Sequence, residues 1–362
     1  MITATLGSGP AMSRVIKGGW QLAGGHGAID QAEAIADMTA FCEAGITTFD
    51  CADIYTGVEE MIGTFRTAYT NSHGAEAAQA LRVHTKYVPN LTELNTLSRA
   101  DVEAAIDTSL SRLRTDALDL VQFHWWDYAQ GDYLEVAGWL GALHKAGKIR
   151  NVGATNFDTA RSLAMVEAGV PLVSVQVQYS LLDNRPARKM VDAFAPHGVQ
   201  LICYGSVAGG LLSDRWLGQA ELKEPHENRS LTKYKLIIDE IGGWDLFQDL
   251  LGALRTIADR HGTDIATVAS RAVLDCEGVA AGIVGARNRS HLPRNLEIAA
   301  LSLTDADRAE IQSVLKRATD VPGDVYEVER DRHGRHGAIM KYNLNTEPTK
   351  RLTSSPWPTP RS

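Results

Sequence analysis

Cysteine is scarce in this chain, and several common sequence signatures are missing. Four cysteines (Cys42, Cys51, Cys203, Cys276) are scattered through 362 residues, with no Cys-x-x-Cys pair. That spacing speaks against a disulfide framework or a zinc site, so a reducing, cytoplasmic setting is expected. No run approaches the roughly 18 apolar residues that cross a bilayer, so no membrane partner is expected. The first residues, MITATLGSGPAMSRV, lack the basic start and apolar core of a secretory signal. The net charge is −8 with both signs interspersed; no basic stripe points to nucleic acid. Neither G-x-G-x-x-G after the first strand nor G-x-x-x-x-G-K-(S/T) occurs, so no Rossmann or P-loop site is supported.

What is present is an ordinary globular balance, 44% hydrophobic and 22% charged. Short β-branched runs alternate with amphipathic stretches from about Val15 to Leu303. The candidate strands are VIKGGW, TTFD, RVHTK, LDLVQFH, RNVGAT, LVSVQVQ, QLICY and VAAGIVG. Helical patterns fall at Gln31–Ala44, Arg99–Leu113, Tyr133–Ala146 and Ala187–Ala195, with two more helical stretches after the last strand. This alternation fits either an open doubly wound sheet or a closed barrel. Asp50, Lys86, His124, Asn156, Tyr204 and Arg287 each sit at or just past the carboxyl end of a different strand. A (β/α)8 TIM barrel rings its site in that way, whereas an open sheet feeds its ligand from fewer strands. The expectation is an α/β barrel over residues 1–319 and a C-terminal extension over 320–362.

Two segments break the rhythm. Gly205–Gly243 is Gly-rich, charged and too long for an ordinary connection, which suggests a functional loop. After Thr319 the chain turns polar, and Thr353–Ser362 reads as extended or disordered. Val321–Leu344 is different: Val325, Tyr326, Val328, Ile339, Met340 and Tyr342 are apolar anchors among charges. That stretch is expected to be ordered, either as a lid over the barrel mouth or packed along its side or against a second subunit.

The strand-end residues suit proton transfer to a carbonyl oxygen. A lysine ending a buried strand needs a partner once desolvated, and Asp50 on the neighbouring strand end can supply it. An ammonium beside Tyr55 favours the phenolate and eases exchange of a proton whose pKa is ordinarily near 10. A neutral His124 can hydrogen-bond a carbonyl and polarise it. Taken singly, each residue also has a plain structural reading: a loop carboxylate, a half-buried tyrosine, a satisfied strand-end histidine. His333 and His336 lack a third ligand at sensible spacing, so no metal is expected.

The segment Gly45–Gly63, with a strand-ending Asp, a Tyr and then Glu59-Glu60-Met61-Ile62-Gly63, resembles the aldo-keto reductase signature. The resemblance covers roughly Arg14 to Leu315. It implies Asp50, Tyr55, Lys86 and His124 as a catalytic tetrad, and a carbonyl reductase using NADP(H). In RNVGATNFDTA it implies that Thr155 and Asn156 bind the nicotinamide carboxamide, with Gln176 of VSVQVQYS sharing the task. Tyr204 matches the aromatic on which the nicotinamide stacks. Gly205 follows where relatives more often have Ser, and Val207–Leu212, with Leu211, aligns with a pyrophosphate-wrapping loop. In GIVGARNRSHLPRNLEIA, Gly285, Arg287 and Asn295 match the positions that hold the adenosine end, with Arg287 facing the 2′-phosphate. The plain alternative is that its arginines decorate a solvated helix start, and Arg294 replaces a more usual Glu or Gln. Trp20 and Trp125 are expected to line the substrate mouth. The expected partner is a small carbonyl compound; oligomeric state stays open. The same fold also serves slow redox-sensing regulatory subunits, and a Schiff-base enzyme using Lys86 is a third reading that Asp50 and Tyr55 oppose.

Overall fold

The structure is a computed structural model that describes residues 1–23, 29–224, 226 and 229–340. An antiparallel hairpin, β1 (Thr3–Ala4) and β2 (Met12–Ser13), precedes eight parallel strands. These are β3 (Val15–Gly18), β4 (Thr48–Asp50), β5 (Arg82–Tyr87), β6 (Leu120–Phe123), β7 (Val152–Thr155), β8 (Leu172–Gln178), β9 (Gln200–Tyr204) and β10 (Val279–Gly285). They close in chain order, with β10 pairing β3, so the barrel reading holds. All eight sequence-predicted strands are barrel strands. The hairpin was not foreseen; its Leu6 and Met12 pack with Ile16, Leu120, Ile202 and Ala281 across the barrel's amino-terminal end.

Helices α1 (Gln31–Glu43), α2 (Val58–Ala78), α3 (Arg99–Leu113), α4 (Tyr133–Lys145), α5 (Thr159–Glu167) and α6 (Val191–Phe194) fill the first crossovers. Asp30, Ser98, Asp132 and Asp158 start four of them by accepting first-turn backbone N–H groups. The helical pattern Ala187–Ala195 is in fact broken: a π-turn over Pro186–Met190 leads into the short α6 and then a 3-10 turn.

Gly205–Gly243 is not one open loop. Within it lies α7 (Arg229–Ile241), whose Leu231, Tyr234, Ile237, Ile238 and Ile241 are buried at helical spacing. With α8 (Gly243–His261) and α9 (Ile265–Leu274) it builds a second core beside the barrel. The Gly and charge content before residue 229 masked that period. After β10 come α10 (Leu292–Ala300), α11 (Asp305–Leu315) and the short α12 (Glu327–Arg330).

Residues 321–340 fold back over the carboxyl ends of the strands on the β6–β8 side. Val321 and Val325 are buried. Asp324 accepts from the backbone and hydroxyl of Thr159 at the start of α5. Arg185, in the β8–α6 connection, forms 2.7 Å ion pairs with both Asp183 and Glu329, and all three are buried. Burial pushes the Glu329 carboxyl up, but Arg185 outweighs it and holds the group at about 2. The end of the anchored stretch, with Tyr342 and Leu344, and the tail Thr353–Ser362 lie outside the described residues.

Candidate active site

The site is built across the barrel's carboxyl end. Lys86, next to last in β5, donates to Asp50 Oδ1 at 2.6 Å and to the Cys51 carbonyl at 2.8 Å. Both partners of this ion pair are buried. The second Asp50 oxygen accepts from Gln122 (3.1 Å) and Gln176 (2.7 Å), so the carboxylate is saturated inside the barrel. Burial alone would lower the Lys86 pKa; the Asp50 charge and hydrogen bond outweigh it and raise it. The ammonium therefore stays charged over the whole working range.

Tyr55 sits in the β4–α2 loop with the Lys86 ammonium 4.9 Å from its ring centroid. Burial raises the phenol's pKa, the nearby ammonium lowers it, and the net direction is up. The expectation that Lys86 draws Tyr55 toward the phenolate thus describes one component only; the resting group is a protonated acid. The loop is held by Glu59, which accepts from Thr85 at 2.6 Å and from Arg112 at 3.3 Å. Gly63 lets α2 lie on α3: a Cβ there would come 2.0 Å from the Arg112 carbonyl oxygen. Two signature residues thus earn their places by positioning Tyr55.

His124 follows β6. Burial, then the charges of Arg330 and Lys86, push its pKa down to about 3, so the imidazole is neutral. Its Nδ1 contacts the Thr155 carbonyl at 3.3 Å, which requires the proton on Nδ1. Nε2 is then an acceptor. Polarising a carbonyl through Nε2–H needs the other tautomer, at the loss of that long contact.

The aromatic residues divide. Trp20 is 51% exposed and meets the Tyr55 ring edge-on at 5.1 Å, as a mouth-lining residue should. Trp125 does not line the mouth. It is fully buried against Phe123, and its indole N–H goes to the Asp127 and Gln130 carbonyls. Trp126 instead meets His124 edge-on at 4.6 Å. Strand alternation explains the correction: His124 points inward, so its neighbour points outward.

Beyond His124, the residues suit a nicotinamide carboxamide. Asn156 accepts from the Tyr204 hydroxyl at 2.8 Å through Oδ1, and no hydrogen bond among the described residues uses its Nδ2. Gln176 spends both Nε2 hydrogens on Asp50 and Gln122 Oε1, leaving its oxygen as an acceptor. One free donor and one free acceptor complement an amide's oxygen and NH2. The half-buried Tyr204 ring lies beside them, held by its bond to Asn156. Thr155 is buried and gives its carbonyl to His124.

Gly205 has φ +77, and a Cβ there would meet the Tyr234 hydroxyl at 2.3 Å, which accounts for the absence of serine. Ala208, Gly209 and Gly210 continue with positive φ in a tight turn whose Ala208 and Gly210 N–H groups donate back to the Gly205 and Val207 carbonyls. Leu211 does not fit the cofactor role assigned to it: its side chain is in the second core, and its N–H goes to Ala208. At the far rim, Gly285 and Arg287 are exposed, while Asn295 is buried with its amide nitrogen unpartnered.

Residues 14–316 match the aldo/keto reductase family model. The chain belongs to the aldo/keto reductase family. It is thereby placed among oxidoreductases that share this barrel. Over 332 residues it is 26% identical to aldo-keto reductase YhdN of Bacillus subtilis, covering 88% of this chain and 95% of that one. It is 30% identical over 263 residues to flagellar radial spoke protein 5 of Chlamydomonas reinhardtii, covering 62% of this chain. The chain spans about half of that relative's length, 49%. The solved structure of a glycerol dehydrogenase from Gluconobacter oxydans shares the fold, with a TM-score of 0.73 at 24% identity, over 89% of this chain and 97% of that one. No helix among the described residues is long and apolar enough to cross a membrane, and no cluster of metal-ligating side chains occurs among them. His336 is bound to Glu240 at 2.7 Å.

Sequence reading missed Gln122 and Arg330, and named Glu59 only as part of the signature, without a role. Gln122 was within reach, because it lies two residues before His124 and so shares its inward face.

Proposed function

We propose that this protein reduces an aldehyde or ketone to the alcohol, with NADP(H) as the hydride source and Tyr55 as the proton donor. The observation that carries the reading is a protonated phenol beside a buried ammonium that Asp50 holds charged. When bound, the reduced nicotinamide supplies the hydride that adds to the carbonyl carbon. Tyr55 then gives its proton to the carbonyl oxygen, and the fixed Lys86 charge stabilises the phenolate left behind. Asn156 and Gln176 orient the carboxamide, and Tyr204 supports the ring. Trp20 and Trp126 shield the mouth from water. Four free cysteines agree with a reducing, cytoplasmic setting.

Arg287 at the rim suits the adenosine 2′-phosphate, since a guanidinium matches phosphate in charge and geometry. A panel of aliphatic and aromatic aldehydes, keto-sugars and quinones, followed by loss of reduced-cofactor absorbance with NADPH and NADH, tests the reading. Turnover with NADPH on at least one class is expected, and none on any class contradicts it. Arg287→Ala should weaken NADPH binding by about 10–100-fold and leave NADH unchanged, the scale of a charge-assisted contact. Equal losses for both cofactors would remove Arg287 from that role.

The likeness to a radial spoke protein supports a second reading, a slow cofactor-binding subunit of a larger assembly. One rapid turnover followed by a stall in the same assay separates it from the enzyme.

A further inference from the structure

Arg330 reaches two active-site loops at once. Its Nη1 donates to the Trp126 carbonyl at 2.8 Å and its Nη2 to the Asn156 carbonyl at 2.9 Å. The guanidinium lies 4.0 Å from the Tyr128 ring centroid and 5.3 Å from that of Tyr326. Its Nε is buried without an acceptor. The nearby carboxylates are engaged elsewhere: Glu329 with Arg185, and Asp127 with Arg332. Among the described residues none forms an ion pair with Arg330. A partly desolvated cation with no carboxylate in direct contact is costly to keep. A latch made only to hold the C-terminal segment needs no such charge, because Val321, Val325 and the Arg185–Glu329 pair already anchor it.

The two carbonyls that Arg330 grips belong to residues with work to do. Trp126 packs on His124, and Asn156 is the carboxamide donor. Asn156 has φ +59, a left-handed conformation that costs a non-glycine residue free energy unless its surroundings enforce it. Tyr204 holds its side chain and Arg330 holds its carbonyl.

We propose that Arg330, beyond the family-matched region, is a positioning residue of the active site: its rigid fork fixes Asn156 toward the nicotinamide carboxamide and Trp126 against His124. The inference rests on the reductase reading for what the site binds. Its charge has a second effect, on His124. The charged groups facing that imidazole are Lys86 from β5 and Arg330 from α12, both cationic. Asp127, beside Arg330, pairs with Arg332 at 3.4 Å; burial pushes its carboxyl up, and both arginines help hold it down.

The test compares Arg330→Met and Arg330→Lys in the full chain, with His336→Ala as a control that loosens the same segment away from the site. Three quantities are read: NADPH affinity by fluorescence, kcat on the best carbonyl substrate, and the His124 titration by NMR without cofactor. Arg330→Met should weaken NADPH binding about 10-fold and lower kcat by on the order of 10–100-fold, the scale of small misplacements at a reacting centre. It should also move the His124 midpoint up toward its usual value. Arg330→Lys keeps the charge and loses the fork, so affinity falls while the His124 midpoint stays low. His336→Ala should change none of the three. Wild-type values in a folded Arg330→Met protein overturn the proposal, as does His336→Ala reproducing its losses. If the chain reduces no carbonyl at all, the function reading fails, and affinity and titration still decide the role of Arg330.

Discussion

The two walls of the barrel mouth are made by different means. On the β4–β5 side everything comes from the barrel: the ion pair of Asp50 and Lys86 is buried and braced by Gln122 and Gln176. On the β6–β8 side, the wall is completed by residues 321–340, which lie beyond the family-matched region and are pinned by Arg185, Asp324 and Arg330. The first wall holds Tyr55 and the Asp50–Lys86 pair, the groups proposed to deliver the proton. The second holds their neighbours in place through backbone carbonyls. A barrel interior offers rigid, dry positions for charge; a returning segment offers a surface that can differ between relatives while the chemistry stays the same.

The comparison breaks most sharply at Lys86. Lys86→Met leaves Asp50 uncompensated in the interior, a change worth about 3–5 kcal/mol of stability. Carbonyl reduction should fall by on the order of 100–10,000-fold. Thermal melts and steady-state assays check both, and retained turnover would mean the first wall is structural only.

A smaller effect is expected on the second wall. Truncation after Asp320 removes Arg330 with its segment, so it should leave the barrel folded, weaken NADPH binding and lower kcat at least as much as Arg330→Met. It should also shift KM and substrate preference several-fold, and still spare reduction more than Lys86→Met does. Unchanged kinetics in a folded truncation would show that the segment is no lid, and a change in sedimentation would point to subunit assembly.

The smallest effect is a pH response confined to the second wall. Glu329 titrates near 2 in the folded chain against an ordinary 4.5. A carboxyl depressed by folding stabilises above its unfolded value and loses that contribution as pH falls. Protection of residues 321–340 from hydrogen exchange should therefore decline between about pH 4.5 and 2, and Glu329→Gln should flatten that decline. Protection that is insensitive to pH in this window would contradict the role of the Arg185–Glu329 pair.

The first wall was far more legible in the sequence than the second. Asp50, Lys86 and His124 each end a strand whose apolar run is plain, so their common face follows from period-two alternation. The same rule separates Trp125 from Trp126, and applying it past the strand end would have put Trp126, not Trp125, on the face of His124. The helix starts at Gln31, Arg99 and Tyr133 were legible because Asp30, Ser98 and Asp132 carry the capping chemistry, whereas α5, capped by Asp158, was not singled out. Arg330 was not readable. Its partners are backbone carbonyls 174 and 204 positions away, and nothing local marks such a contact. α7 escaped for another reason: the glycines and charges ahead of it carry turn signals that hide the period beginning at Leu231.

The central claim is that Tyr55 delivers the proton while the cofactor is held by other strands. Tyr55→Phe tests it most directly, with NADPH affinity and single-turnover carbonyl reduction measured on the same preparation. The account predicts affinity within about two-fold of the parent, since the phenol makes no contact with the residues proposed to hold the carboxamide, and reduction slowed by on the order of 100–10,000-fold. Parent-like reduction by the phenylalanine variant would contradict it.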